Sequence, residues 1–582
     1  MTIDPHRRIV EMVEGAAVVS VAGSPGDSAG VWRAPEPTAN DPCDDLGPSD
    51  ASEAGADLKA VQRCAGFDHS DTDNGKRLRE HFGRDLCVMA QSGVSGGAYL
   101  VWAGTHWDQP GGEAKVNIIV QQLGGRIALE AEYLAFTPQE LEAVNTAAAF
   151  APNDESKPAK VARDAAEGAK KALASRKAAR WRFAVTSKNS GRCKAMVEMA
   201  APHLRRAPDD FNADAYLVAT LTHTLRFVRE EDPGSAETPV YVGRVDAQPG
   251  HAREDYLTGV IPVAYDKKAV SKKWLAFLAR CMPDPATLRT VQQYCGTGLF
   301  GFALQYVMFH HGFGANGKSV FLETITRLLG ETFAVGMGAE SVAGGGERAA
   351  GGPSPDIERL FGKRMVRVLE LAEGKPVQED LVKRLTGGEA FPVRTLFKGY
   401  YEFRNRATPH MSGNGFPKID GTDNGIWRRM LVVHWSVTIP EEERRELEEM
   451  VRDLLTEGPG ILNWIIDGAV DFLSHGLVVA PSIRDATAKY RDDMDPVGRF
   501  AAACVRVKPG ASVGAAMMYQ AYQNWCHAAA QSVVLQTRFG REMAKRFTKD
   551  RGKTYSYLDC ELHDVPAAPD GGGASWTDGY GG

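Results

Sequence analysis

The chain has no C-x-x-C pair; its nine cysteines are scattered singly along 582 residues. That spacing gives no support to a zinc site or a disulfide framework and suits a reducing compartment. No uninterrupted apolar run approaches the roughly 20 residues that a membrane-spanning helix needs. The N-terminus, MTIDPHRRIVEMVEG, has no apolar core of signal-peptide length. A soluble, cytoplasmic protein with no membrane partner is expected. A basic excess is missing too, since 68 Lys and Arg against 74 Asp and Glu leave a formal net charge of −6. Any nucleic-acid contact must therefore come from local patches. No internal repeat is evident.

What is present is enough for several globular units. A chain of 582 residues exceeds a single core, and 43% hydrophobic with 24% charged residues is ordinary globular composition. Residues 23–56 are rich in Pro, Gly, Ser, Asp and Ala, so 1–65 reads as a disordered leader, with order beginning near Asp71. Thr72 to Phe82 has helical spacing, and Gly97 to Trp102 reads as a strand turning at Gly104. Ser156 to Arg182 is Ala-, Lys- and Arg-rich at helical spacing. A solvated linking helix is preferred there to a nucleic-acid arm. Leu288 to Val307 reads as helix running into strand.

The segment that follows carries the most chemistry. Val307-Met308-Phe309-His310-His311 is a strand, Gly312-Phe313-Gly314-Ala315-Asn316-Gly317-Lys318-Ser319 fits G-x-x-x-x-G-K-[ST], and Val320 to Leu329 is helical. Backbone N–H groups of such a loop cradle phosphates at a helix N-terminus. Gly312, Gly314, Ala315, Asn316, Gly317, Lys318, Ser319 and Val320 are the candidate nucleotide-binding residues. Lys318 would neutralise the β- and γ-phosphates of ATP or another NTP, and Ser319 would hold Mg²⁺.

A phosphate loop needs a neighbouring acid. Arg364 to Glu370 is an apolar strand ending in a carboxylate, which makes Glu370 the candidate for Mg²⁺ and water activation and Glu373 an accessory. Two solvated loop acids are the alternative. Thr408 to Asn414 is a short strand ending in an amide that could hold the attacking water. Arg428 and Arg429 could stabilise the transition state at a neighbour's γ-phosphate, or form a surface ion-pair site. Val393 to Phe403 alternates and turns at Lys398-Gly399. Its basic, aromatic tip suits a DNA-tracking loop with Lys398 at the phosphates, though a core hairpin has the same pattern.

In combination, GFGANGKS, LELAEG, LVKRLTGG, LFKGYYEF and SGNGFPKIDGTDNGIWRR resemble the viral and plasmid superfamily 3 helicases. The subgroup is that of the phage and plasmid primase-helicases and the poxvirus primase-helicase. The resemblance implies an AAA+-like P-loop NTPase core within an α/β fold, a homo-hexameric ring and translocation on single-stranded DNA, with the catalytic roles above for Lys318, Glu370, Glu373, Asn414, Arg428 and Arg429. The family setting is a bacterial host cell. GKRLREHFG and AYLVWAGTHW, and the segments around Asp210–Leu217 and Asp255–Asp266, resemble the domain that precedes the helicase in these proteins. With only about seventy low-complexity residues ahead of it, no primase-polymerase domain and no primer synthesis are expected, and a separate primase or replisome protein becomes the expected partner.

The last segment reads as a winged helix, as at the C-terminus of the same family. Ala515 to His527 is a helix in which Tyr519, Tyr522 and Trp525 read as core. Thr537 to Phe547 is a basic helix, and Lys549 to Leu558 a two-stranded wing. Arg538, Arg541, Lys545 and Arg546, with Lys553 on the wing, are candidate contacts to forked or duplex DNA. The expected organisation is leader 1–65, mixed α/β N-terminal helicase-associated domain 66–284, AAA+ core 285–480, winged helix 481–566 and disordered tail 567–582. Two activities remain open: a replicative DNA helicase, or an ATPase loader that binds DNA without sustained unwinding. A small-molecule kinase would not require the hairpin, amide and winged helix in this order.

Overall fold

The computed structural model describes residues 55–90, 98–109, 111–232, 240–344, 355–394, 400–419, 424–550, 552 and 554–567. The chain is mixed α/β, with helices and five sheets among these residues. None of its described helices is long and apolar enough to cross a membrane. Most of the expected leader, and all of the expected tail except Ala567, lie outside the described residues.

Order begins earlier than Asp71. Leu58–Cys64 is a helix capped by the Asp57 carboxylate, and its Ala60, Val61 and Cys64 are buried. Small side chains on one face let so short a helix dock on Gly112–Glu130. Asp71–Phe82 follows as expected, with the Ser70 hydroxyl accepting from the Asp73 amide at 3.1 Å. The expected strand is Ala98–Trp102, paired antiparallel with Leu86–Met89.

The helix at 156–182 is observed as α1 (Lys157–Thr186), with Ser156 at its N-cap, but it is not a solvated linker. Ala159, Ala162, Ala166 and Ala169 make a smooth buried stripe at i, i+3 and i+4 spacing. Farther along, Arg180 pairs with the buried Glu130, which also takes Arg77 at 2.8 Å. A buried carboxylate of this kind is tolerable only because two guanidiniums neutralise it.

Next come α2 (Lys272–Cys281) and α3 (Pro285–Thr297), then the central sheet. Its strands are β1 (Val307–His311), β2 (Ala334–Met337), β3 (Met365–Val368), β4 (Thr408–Gly413) and β5 (Met430–His434). They are all parallel, in the order β2-β3-β4-β1-β5. Between β1 and β2 runs α4 (Lys318–Phe333), and after β5 come α5 (Leu447–Leu455), α6 (Gly458–His475) and α7 (Pro481–Asp493).

Both faces of the sheet are covered, as a parallel sheet requires. Met308, Leu431 and Val433 face one core with Trp274, Val291, Phe321, Leu322 and Ile465. Val307, Phe309, Val366 and Val432 face the other, with Leu385, Phe391, Phe403 and Tyr490. Val218, Leu225 and Ile261 join the first core, so buried packing is continuous across position 284. The hairpin strands are Ala390–Arg394 and Tyr400–Arg404, antiparallel, and the turn with Lys398 lies outside the described residues.

At the C-terminus, α8 (Pro496–Cys504), α9 (Ala515–Ala528) and α10 (Gln536–Ala544) enclose a separate core. A three-stranded antiparallel sheet of Val505–Gly514, Ser556–Leu562 and Lys549–Asp550 closes it. Tyr522 is buried there, and Tyr519 and Trp525 pack against it.

Candidate functional site

Three neighbouring strands, β3, β4 and β1, end at one edge of the sheet, and the next residues carry Glu370, Asn414 and the Gly312–Ser319 loop. The carboxyl edge of an open parallel sheet is where a ligand crevice forms. The loop turns through left-handed backbone at Gly314, Ala315 and Gly317, with φ of 72°, 44° and 84°. Gly317 is required twice over. Besides its φ, a Cβ there would lie 2.5 Å from Cys281 Sγ on α2. Asn316 lines the crevice and braces the loop: its Nδ2 donates to the Trp435 carbonyl at 3.4 Å, and its Oδ1 accepts from the Lys318 amide at 3.3 Å.

Lys318 is buried and donates to Gly312 O at 3.1 Å, Gly413 O at 3.0 Å and Asn414 Oδ1 at 3.0 Å. All three acceptors are neutral. Burial lowers the pKa of the ammonium below the usual lysine range, and the nearby Glu370 carboxylate opposes that shift.

The crevice has a volume of about 590 Å³, and Ser319, Val320, Glu370, Gly413 and Asn414 all line it. Glu370 stands two residues past the end of β3 in left-handed backbone, φ 59°, a conformation a non-glycine residue adopts only where its surroundings enforce it. The charge within β3 is accounted for as well, since Arg367 pairs with Glu323 of α4. The Ser319 hydroxyl and the exposed Glu370 carboxylate, both lining the crevice, are a hard-oxygen donor set that fits a divalent cation such as Mg²⁺. In the same crevice, the buried ammonium and the wrapped loop fit a polyphosphate.

Glu373 is not part of this constellation. It lines a neighbouring cavity of about 640 Å³ with His311, Phe313 and Phe416. Its carboxylate packs at Gly415, where a Cβ would meet it at 2.6 Å.

Sequence reasoning missed the far wall of the crevice. Phe277 and Cys281 from α2, with Ile439, Leu447 and Met450, supply an apolar surface, and Arg280, Glu443, Arg444 and Arg445 a charged rim. Arg280 pairs with Glu443 at 3.0 Å. No local signal marks these residues, because α2 and α5 have the amphipathic pattern of any core helix and only tertiary packing brings them to the loop.

The paired arginines part company. Arg428 is exposed and lines a third cavity, of about 700 Å³, with Trp427, Arg484 and Arg491. Arg429 is 8% exposed and donates to the Gly425 carbonyl. Neither lines the crevice of its own chain.

At the C-terminus, Arg541 is exposed and Arg538 half-buried on α10. Lys545 donates to Glu542 at 2.9 Å, and Arg546 pairs with Asp495 and Glu542. Lys553 lies outside the described residues. Among the described residues, Cys64, His81 and Glu130 converge closely enough to hold a metal. Glu130 is already neutralised by Arg77 and Arg180, so a cation there would face two guanidiniums.

Parts of the chain are similar to known proteins. Residues 75–283 match the family described as D5 N terminal like. The chain is 23% identical over 274 residues to the putative helicase L207/L206 of Acanthamoeba polyphaga mimivirus, covering 43% of this chain and 28% of that protein. It is 27% identical over 160 residues to the primase D5 of Fowlpox virus, covering 26% of this chain and 20% of that protein. The matches thus span under a third of either relative's length. Solved structures of the NrS-1 C terminal region are distant likenesses. One is 12% identical with a TM-score of 0.35, covering 58% of this chain and 96% of that one, and another is 11% identical with a TM-score of 0.31, covering 49% and 74%. The family match covers an N-terminal part of the chain, residues 75–283, and the two viral relatives are named as a putative helicase and a primase.

Proposed function

We propose that the chain is an ATP-driven DNA helicase of the superfamily 3 kind, with an AAA+-like P-loop core over 285–480 between the N-terminal unit 66–284 and a winged helix over 481–566. The observation that carries this reading is the Lys318 ammonium, buried and held at 3.0 Å by Asn414 Oδ1 in a crevice that Glu370 also lines. Bound ATP (or another NTP) with Mg²⁺ supplies the phosphoanhydride bond and the cation that offsets its charge.

The chain's own residues do the rest. Neutral oxygens hold Lys318 less strongly than a phosphate anion would, because the anion adds the attraction of opposite formal charges to the hydrogen bond. Lys318 is therefore pre-aimed and exchangeable, and Ser319 and Glu370 are placed to hold the metal. With nucleotide bound, Asn414, tethered to Lys318, would orient the attacking water, and the Glu370 carboxylate would take its proton. The apolar wall of Phe277, Cys281, Ile439, Leu447 and Met450 suits the flat face of a nucleobase.

Assembly as a homo-hexamer supplies what one chain lacks. Arg428 is exposed and outside its own crevice, so it rather than Arg429 is the arginine to reach a neighbour's γ-phosphate and stabilise charge there. The hairpin bearing Lys398 would track single-stranded DNA, and α10 with its wing would bind the fork. The relatives' names make a primase the natural partner activity.

Strand displacement on a forked duplex with ATP and Mg²⁺, run beside Lys318→Ala, tests the proposal. Unwinding that the variant loses supports it. DNA-stimulated hydrolysis without unwinding would replace it with the loader reading.

A further inference from the structure

The cavity that takes Glu373 away from Lys318 contains a column of stacked rings. Phe313, 81% exposed at the loop, meets the His311 ring edge-on at 5.3 Å. His311 stacks on Phe416 with centroids 4.1 Å apart and planes 9° from parallel. Phe416 stacks in turn on Tyr490 of α7 at 4.2 Å and 19°, and Tyr490 meets Trp427 edge-on at 5.1 Å. Tyr490 is fully buried, and its hydroxyl donates to the Pro417 carbonyl at 2.5 Å.

The two ends of this column belong to different nucleotide sites in the proposed ring. At one end, His311 directly precedes the phosphate loop and sits in register beside Gly413, which adjoins Asn414, the residue that holds Lys318. Phe416 follows Asn414 by two positions. At the other end, Trp427 directly precedes Arg428, the arginine that faces away from its own crevice. Rings stacked at about 4 Å leave no free space between them, so a shift of Asn414 displaces Phe416 against Tyr490 rather than being absorbed.

We propose that Phe416 is a positioning residue, which relays the nucleotide state sensed at Asn414 of one subunit to Trp427 and Arg428, and so to the neighbouring subunit's site. This rests on the NTPase reading above. The role is mechanical: Phe416 touches neither the nucleotide nor the arginine, and the coupling runs through His311, Tyr490 and Trp427.

Hydrogen–deuterium exchange of the full chain, with and without saturating ATPγS and Mg²⁺, tests it. In the parent, nucleotide should change exchange across residues 425–431. Phe416→Leu should bind the analogue within about threefold of the parent and lose that change, and Phe416→Tyr, which keeps the ring, should restore it. Tyr490→Leu breaks the column one ring farther on and should give the same loss, which covers the case of a Phe416→Leu chain that does not fold. A full response in either leucine variant with binding intact overturns the relay, as does a parent that binds nucleotide without responding at 425–431. Either result leaves the NTPase reading standing. A parent that binds no nucleotide overturns both.

Discussion

The crevice around Lys318 and the end of the C-terminal helix α10 both carry basic side chains, yet they hold them in opposite ways. Lys318 is hydrogen-bonded to carbonyl and amide oxygens, with the Glu370 carboxylate nearby but not among its hydrogen-bond acceptors. Arg546 and Lys545 are tethered to the carboxylates of Asp495 and Glu542. Arg546 ties the end of α10 to Asp495 at the N-cap of α8, Lys545 pairs with Glu542 of α10 itself, and a phosphate would have to displace an acid to reach either. A basic residue in a recognisable pattern is therefore not by itself ready to bind an anion. Readiness depends on what already holds it.

The largest expected effect sharpens this contrast. Lys318→Ala should reduce NTP hydrolysis to background while leaving the melting temperature close to the parent's, as read by a phosphate-release assay beside thermal unfolding. Normal turnover would end the assignment of the loop. Next, Arg428→Ala should lower kcat by about 10³-fold with nucleotide binding unchanged, the scale of a trans-acting arginine. Arg429→Ala should instead lower the melting temperature by about 2–4 °C, because its guanidinium is buried in its own chain. Equal kinetic losses in the two variants would erase the distinction between exported and structural arginine.

A smaller effect separates a residue of α10 from one just past its end. Arg541→Ala should weaken fork binding and reduce the slope of log K against log salt by about 0.9, the loss of one phosphate contact. Arg546→Ala should leave that slope in place and loosen the C-terminal unit. The reverse result, read by fluorescence anisotropy across a salt series, would mean that Asp495 and Glu542 yield Arg546 readily.

The smallest effect is on pH dependence. Burial holds His81 and His311 down at about 4, and His410 at about 3, below the ordinary value of 6.5. In this case the unfolded chain binds protons that the folded chain refuses, so stability falls as pH drops from about 6.5 toward 4 and is fully retained above 6.5. A melting temperature that stays level from pH 7 to 5 would show that these imidazoles are less enclosed than their packing indicates.

Much of the crevice was legible in one dimension. The run from Val307 to Ser319 declares strand, loop and helix because the required backbone conformations are local, and glycine at 314 and 317 is the residue that adopts them without strain. The same holds for β3 ending before Glu370 and β4 ending before Asn414. The helix at 156–182 shows where pattern reading falls short. Its spacing announced a helix, but alanine is neutral in composition, so nothing in the pattern distinguished a solvated linker from a wall with a buried stripe. The early start of order at Leu58 was hidden for the same reason, since short, small-residue faces look like leader composition until a partner surface covers them.

By itself, then, the sequence determined the glycine-rich loop between strand and helix, the acid and amide that follow neighbouring strands, and the order of the elements, because each depends on residues close together in the chain. Only the tertiary structure decided that Glu373 turns away from Lys318, that Arg428 is exposed while Arg429 is buried, and that Phe277 and Met450 close the crevice. It also stacked His311, Phe416, Tyr490 and Trp427 into one column. Each of these is settled by which side chains from distant segments compete for the same buried space, and that competition leaves no mark on local spacing.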